Sequence, residues 1–279
     1  MRLGAPIRNT NSPEEWIAEL RSKGYRAAYC PLDEAAPDSL IAEYRQAARE
    51  HDIVIAEVGI WNNMLAPDPE LRARNVEMSI RRLALADRIG ARCCVNVAGN
   101  PQSDAQWDRY FPGYDSDATY ELVARAVQQI IDAASPQSAC FSLECMQWMI
   151  PDSTESYARL IELIDRPRFG VHLDLVNLVN SPARYEHNAE LAREFTARLG
   201  GRLLSCHIKD VTLRLERALV HIDETPAGTG GLDYAALLSA LDALEPDLPV
   251  MLEHLPDLAS YDAAAAHVRA QAAALGIAL

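Results

Sequence analysis

Phe169-Gly170-Val171-His172-Leu173-Asp174-Leu175-Val176-Asn177 is a short apolar run that carries a histidine, a carboxylate and then an amide. Its length and its β-branched and aromatic content suit a strand buried on both faces. On a strand, His172 and Asp174 point to the same side of the sheet. A buried ionised carboxylate without a partner is costly, so Asp174 calls for a cation or a set of donors waiting at that strand end.

Outward from this stretch, short apolar runs alternate with longer amphipathic patterns. Towards the N-terminus lie a helix over Ser153 to Ile164, a strand Cys140-Phe141-Ser142-Leu143-Glu144, and a helix with Leu122, Val123, Ala126, Val127, Ile130 and Ile131 on one face. Earlier strands are expected at Leu3 to Pro6, Arg26 to Cys30, Ile53 to Glu57 and Arg92 to Asn96. Between them, Ser12-Pro13-Glu14-Glu15 has the form of a capping box with proline at the first helical position, and Asp68-Pro69 opens a helix that Gly90 closes. The loop from Ala98 to Asp115, with Trp107, Tyr110 and Phe111, is longer than a connector needs. Towards the C-terminus, a helix over Ala183 to Leu199 and the Gly200-Gly201 break precede a strand Leu203-Leu204-Ser205-Cys206-His207. The segment Val220 to Gly231 reads as a loop, and the last strand is Val250-Met251-Leu252-Glu253. Parallel neighbours require crossovers, and eight strands alternating with eight helices give a closed parallel (β/α)8 barrel. The GxGxxG turn of a doubly wound dinucleotide-binding sheet is absent after the first strand. Residues 1–279 are therefore expected to form one barrel domain, a size such barrels commonly reach.

With 49% hydrophobic and 24% charged residues, the chain can build one large core. A formal net charge of -14 repels phosphate backbones and disfavours a nucleic-acid partner. No apolar run is long enough for a bilayer, and Met1-Arg2-Leu3-Gly4-Ala5 lacks the apolar core of a signal peptide, so a cytoplasmic location and no membrane partner are expected. The six cysteines make no CxxC pairs and suit reduced, buried thiols. The sequence leaves a homo-oligomer open.

Four consecutive strands end in Glu144, Asp174, His207 and Glu253, separated by thirty to forty-six residues, about one βα unit each. In a barrel these ends converge on the carboxyl-terminal face, where sites form. Three carboxylates and one imidazole suit a hard divalent ion, with Mn²⁺ the first expectation and Mg²⁺, Co²⁺ or Zn²⁺ as alternatives. Taken singly, each carboxylate could instead pair with an arginine or cap a helix.

At Ser142-Leu143-Glu144, His172 to Asn177, His207-Ile208-Lys209-Asp210 and Leu252-Glu253, the chain resembles the xylose-isomerase-like TIM barrel superfamily of sugar phosphate isomerases and epimerases. The resemblance covers nearly the whole chain. It implies a metal held by Glu144, Asp174, His207 and Glu253, with Glu144 and Glu253 also the acid/base pair. Many epimerases of this family carry a histidine three residues after the strand-six aspartate. Asn177 stands there in this chain, and an amide binds a hydroxyl but does not shuttle protons.

A divalent ion chelating a carbonyl and its neighbouring hydroxyl acidifies the hydrogen on the carbon between them. One carboxylate can remove that proton and a second can return it, so the expected activity is isomerisation or epimerisation of a sugar or keto-polyol through an enediolate. Expulsion of a β-substituent would instead give a lyase or dehydratase acting on a keto-polyol or 3-keto-glycoside. A non-catalytic sugar-binding barrel is the alternative of another class. An abasic-site endonuclease would need a multi-histidine three-metal cluster and a basic DNA face, which seven histidines and the negative charge disfavour. Expected substrate contacts are Glu57, Trp61, Asn96, Trp148, Asn177, Lys209, Asp210, His221 and Glu224. Glu57 could equally pair with an arginine, and Asp210 could cap the next element. His172 is expected one layer below Asp174, supporting the site without ligating.

Overall fold

The structure, a computed structural model, describes residues 1–279. Its strands are β1 (Arg2–Gly4), β2 (Ala27–Tyr29), β3 (Val54–Gly59), β4 (Cys93–Asn96), β5 (Cys140–Glu144), β6 (Phe169–Asp174), β7 (Leu203–Ile208), β8 (Asp210–Leu213), β9 (Ile222–Thr225) and β10 (Pro249–Leu252). Eight of them close into a barrel in the order β1-β10-β7-β6-β5-β4-β3-β2, and β8 with β9 forms a separate antiparallel hairpin. Every barrel pairing is parallel, as the alternating pattern requires, with helices between the strands. One continuous cluster of 68 buried apolar residues links the strands to the helices around them, so the barrel and its helical coat share a core.

Local signals largely place the helices. Ser12 caps the helix Pro13–Ser22 by accepting from the Glu15 N–H at 3.2 Å, but only half of the capping box forms, because the Glu15 carboxylate binds the Asn11 amide instead. Asp68 caps Pro69–Ile89, and Gly90 closes it at φ +83°. Two expectations are corrected. The helix expected over Ala183 to Leu199 is two helices, Pro182–Glu186 and Asn188–Leu199, broken at His187, where the backbone leaves helical geometry. The segment after β7 is not simply a loop: it folds back as the β8–β9 hairpin, with Asp210 opposite Thr225 and Leu213 opposite Ile222.

One irregularity decides which side chains meet inside the barrel. Along β6 and β7, Val171 pairs with Leu203, but the register then shifts by one so that His172 pairs with Ser205 and Asp174 with His207. A bulge of this kind absorbs one extra residue, here Leu204, and re-aims the side chains beyond it. Gly170 leaves the space: a Cβ there would lie 2.2 Å from Leu204 Cδ1. Above the bulge, the hydroxyl of buried Tyr157 donates to Leu143 O at 2.7 Å and accepts from the His172 N–H at 3.1 Å, tying β5 to β6 just below Glu144 and Asp174.

Asp87, near the end of Pro69–Ile89, fastens the turn that enters β5. Its carboxylate accepts from the Gln137, Ser138 and Ala139 amides at 3.0, 2.6 and 3.0 Å. Burial opposes ionisation, but these donors outweigh it and hold the Asp87 pKa down at about 2. A depressed carboxylate contributes stability that is present above its unfolded pKa and lost as pH falls through the folded one. With the shift discounted for solvent screening, Asp87→Asn is therefore expected to cost about 1 kcal/mol at pH 7 by urea unfolding, with the deficit narrowing between pH 4 and pH 2. An equal deficit at both ends of that range would refute this account.

Candidate functional site

At the carboxyl-terminal rim, β5 and β6 end on Glu144 and Asp174, His207 lies one residue inside the end of β7, and Glu253 follows β10 directly. One ligand-competent atom from each of the four lies within 4.8 Å of the others, and all four residues are buried. His207 Nδ1 stands 2.9 Å from both Glu144 Oε1 and Glu253 Oε2, while Nε2 lies 3.0 Å from Glu57 Oε1. Lys209 places Nζ 2.8 Å from Asp174 Oδ2, 2.7 Å from Glu253 Oε1 and 2.9 Å from Glu224 Oε2. Asp174 also caps the short helix Leu175–Leu178, accepting from the Asn177 N–H at 3.1 Å.

Packing so many carboxylates out of water sets their electrostatics. Burial pushes Asp174 well above the usual carboxylate range, and Lys209 only partly offsets this. For Glu253 burial acts in the same direction, but His207 and Lys209 outweigh it and hold its pKa well below the ordinary value. Burial alone would lower His207, yet Glu253 and Glu57 lift it well above the usual histidine value. The same balance holds for Lys209, which Asp174 and Glu253 keep charged despite burial.

The donor set fits a hard divalent ion. Asp174 Oδ2 is buried without a hydrogen bond, since Lys209 approaches it closely but outside hydrogen-bonding geometry. At His207 Nδ1, two carboxylate oxygens converge on a nitrogen that carries at most one proton. Three oxygen donors and one imidazole facing a common centre match the preference of Mn²⁺ or Mg²⁺.

This cluster opens into a cavity of about 430 Å³, a size suited to a small organic ligand. Glu144, His207, Glu253 and His254 form its polar wall, and Tyr29, Trp61 and Tyr261 contribute aromatic surface. Two non-glycine residues with left-handed backbone, Trp61 at φ +52° and His254 at φ +55°, both border it. Such strain tends to persist where the surroundings over-determine a functional conformation. Gly59 makes room for the first of these, because a Cβ there would lie 2.6 Å from the Trp61 indole nitrogen.

The structure sorts the remaining expected contacts. Trp61 lines the cavity, Lys209 and Glu224 join the carboxylate cluster, and Asn177 reaches Glu144 Oε1 at 3.5 Å and Cys145 O at 3.0 Å. Glu57 is 1% exposed and sits inside the barrel beneath His207, with neither a substrate-facing position nor an arginine partner. His172 does lie below Asp174, its ring 4.2 Å from that of His207. Four residues stand apart from the cavity wall. Both ends of the Asn96 amide are tied to Asn62 at 3.0 Å. Asp210 accepts from the Val211, Gly228, Gly230 and Leu232 amides at 2.8 to 3.0 Å and so holds the glycine-rich loop, as a cap rather than a substrate contact. His221 is half exposed and bonded to Asp223, and Trp148 is 46% exposed. Sequence reasoning missed Tyr29, Ser205, His254 and Tyr261. Only His254, adjacent to Glu253, carried a visible signal.

A closed (β/α)8 barrel with a carboxylate–histidine cluster at its carboxyl-terminal mouth defines the class of the protein. The model of the xylose isomerase-like TIM barrel family matches residues 17–271, and the chain belongs to that family. Among solved structures, it is similar to D-psicose 3-epimerase from Clostridium cellulolyticum H10, with TM-score 0.69, 14% identity and 100% of each chain covered. It is also similar to 3-keto-D-glucoside 4-epimerase from E. coli, with TM-score 0.67, 16% identity and coverage of 97% of this chain and 99% of that one. A xylose isomerase-like TIM barrel protein from Mycobacterium smegmatis, in complex with magnesium, gives TM-score 0.67 at 19% identity, covering 98% and 97%. At these identities the likeness is one of fold. No functionally curated protein matches the sequence. No helix is long and apolar enough to cross a membrane.

If Asp210 organises the 228–232 loop, Asp210→Asn would turn an amide N–H towards backbone donors and leave some of them unpaired. The expected result is a cost of about 1–3 kcal/mol and faster amide exchange at Gly228, Gly230 or Leu232. Unaltered exchange at all three would show that the loop is held by other contacts.

Proposed function

We propose that the protein is a divalent-metal-dependent isomerase or epimerase of a sugar or keto-polyol. The observation that carries this reading is the convergence of Glu144, Asp174, His207 and Glu253 on one centre, with Glu144 and Glu253 both in the wall of the cavity. Glu144, Asp174, His207 and Glu253 would hold the ion, Mn²⁺ first among Mn²⁺, Mg²⁺, Co²⁺ and Zn²⁺. When bound, it supplies Lewis-acid polarisation of a carbonyl and its neighbouring hydroxyl.

The chain's own residues then account for proton movement. Glu253 is held ionised at neutral pH, as a general base must be. Glu253 takes the proton from the carbon beside the carbonyl, and Glu144, whose carboxylate also stands 2.9 Å from His207 Nδ1, returns one, or the two exchange roles for the opposite epimer. Return to the same carbon epimerises, and return to the neighbouring carbon isomerises. Asn177 steadies Glu144, Lys209 and Glu224 meet substrate oxygens at the rim, and the Trp61 ring covers an apolar sugar face. The fold likeness to sugar epimerases supports this reading.

Two measurements test it. In heavy water, Mn²⁺-loaded protein incubated with ketohexoses and 3-keto-glycosides is expected to place deuterium beside the carbonyl of one substrate. Glu253→Gln should slow that exchange by at least about 10²-fold. Exchange at the unmodified rate in this variant would sink the assignment of Glu253. Recovery of an enone or a released aglycone would move the reaction to elimination, and tight sugar binding without exchange would indicate a binding protein.

Metal loading should also depend on pH. His207 holds its proton tightly in the metal-free protein, and ligation at Nδ1 requires that proton to leave. Mn²⁺ affinity is thus expected to rise with pH, with proton release visible by calorimetry in buffers of different ionisation enthalpy. Affinity flat between pH 5.5 and 8 would argue against His207 as a ligand.

A further inference from the structure

Beneath the cluster, Glu57, His172 and Ser205 are at most 1% exposed and make a second polar layer that the proposed reaction does not use. His172 Nδ1 lies 2.6 Å from Ser205 Oγ, Ser205 Oγ lies 3.1 Å from Glu57 Oε2, and Glu57 Oε1 lies 3.0 Å from His207 Nε2. The donors available set the direction of each bond. An ionised carboxylate only accepts, so Ser205 gives its single hydroxyl proton to Oε2, and His207 gives Nε2–H to Oε1. Ser205 Oγ also stands 3.5 Å from Cys93 Sγ, a weaker acceptor than the carboxylate, and His172 Nδ1 stands 3.4 Å from Glu57 Oε2 as well as 2.6 Å from Ser205 Oγ. With its proton committed to the carboxylate, Ser205 accepts from His172, which therefore carries hydrogen on Nδ1, where it also faces Glu57. That leaves His172 Nε2 a bare lone pair, and it is the buried ring nitrogen without a hydrogen-bond partner.

We propose that Glu57, braced by Ser205 and His172, is the positioning residue that fixes His207 as its Nε2–H tautomer and so presents the Nδ1 lone pair to the centre shared by Glu144, Asp174 and Glu253. The reverse tautomer would set a lone pair 3.0 Å from the Glu57 carboxylate and a hydrogen where a ligand atom is required. A carboxylate behind a ligating imidazole fixes its orientation and raises its basicity, and loss of such a partner costs 10–100-fold in metal affinity. This inference rests on the metal-dependent reading of the site. It assigns Glu57 a task within the barrel interior.

The test combines ring-nitrogen NMR of ¹⁵N-histidine-labelled protein, loaded with Mg²⁺, with Mn²⁺ titration followed by electron paramagnetic resonance. In the unmodified protein, His172 is expected to carry Nδ1–H and His207 Nε2–H. Glu57→Gln, whose amide cannot accept from both neighbours through equivalent oxygens, should weaken Mn²⁺ about 10–100-fold, and Glu57→Asp should recover part of that loss. His172 with hydrogen on Nε2 instead would overturn the proposed chain without recourse to any variant. Wild-type Mn²⁺ affinity in Glu57→Gln would overturn the positioning role. Failure of the unmodified protein to bind Mn²⁺ at all would instead defeat the metal reading, while the His172 tautomer in the metal-free protein still decides the direction of the chain.

Discussion

The organising constraint is the concentration of negative charge at one poorly solvated end of the barrel. Glu57, Glu144, Asp174 and Glu253 are buried, and Glu224 leans over them from β9, whereas the positive charge within reach comes from Lys209, His207 and His254. Each carboxylate is tolerable only because a neighbour shares its cost. Lys209 touches three of them at once, and His207 touches three as well. Removal of either cation would leave carboxylates facing one another. A divalent ion would relieve the same repulsion more completely, which connects the electrostatics of the fold to the proposed chemistry.

Cavity shape reflects the same division. The charged wall belongs to the later strands, and the aromatic wall comes from β2, the turn after β3 and the last helix, Leu258–Ala274. A ligand with hydroxyls on one side and a carbon face on the other would satisfy both walls. Trp61 and His254 accept left-handed backbone at this boundary, so the chain bears local strain where the two walls meet.

Much of this was legible in the sequence, and the rest was not for identifiable reasons. Period and punctuation revealed the eight barrel strands, and the residues at the ends of the last four picked out Glu144, Asp174, His207 and Glu253, because strand ends in a barrel are necessarily close. Glu57 was legible as a strand-end carboxylate but not as the partner of His207, which lies 150 residues away. Its strand also continues to Gly59, which carries Glu57 below the rim. The β8–β9 pair is short and joined without an Asn-Gly or Asp-Gly turn, so no local pattern marks it as a hairpin or shows that His221 turns to Asp223. Asn96 and Asp210 have the right chemistry for a substrate contact, but their hydrogen-bonding capacity is filled by neighbours that no local pattern announces.

The two polar layers are joined through a single strand. Ser205, His207 and Lys209 occupy alternate positions on and just beyond β7, so all three share a face and rise through the barrel in sequence: Ser205 meets the lower layer, His207 belongs to both, and Lys209 reaches the rim. Without the bulge between β6 and β7, His172 would stand beside Leu204 and Asp174 beside Cys206, and apolar side chains would lie level with the polar ones. The one-residue shift brings His172 beside Ser205 and Asp174 beside His207. The backbone irregularity near Gly170 and Leu204 is thus the structural origin of the site several residues above it. Side chains that ligate, position and neutralise charge are brought together by register before any of them meets a ligand.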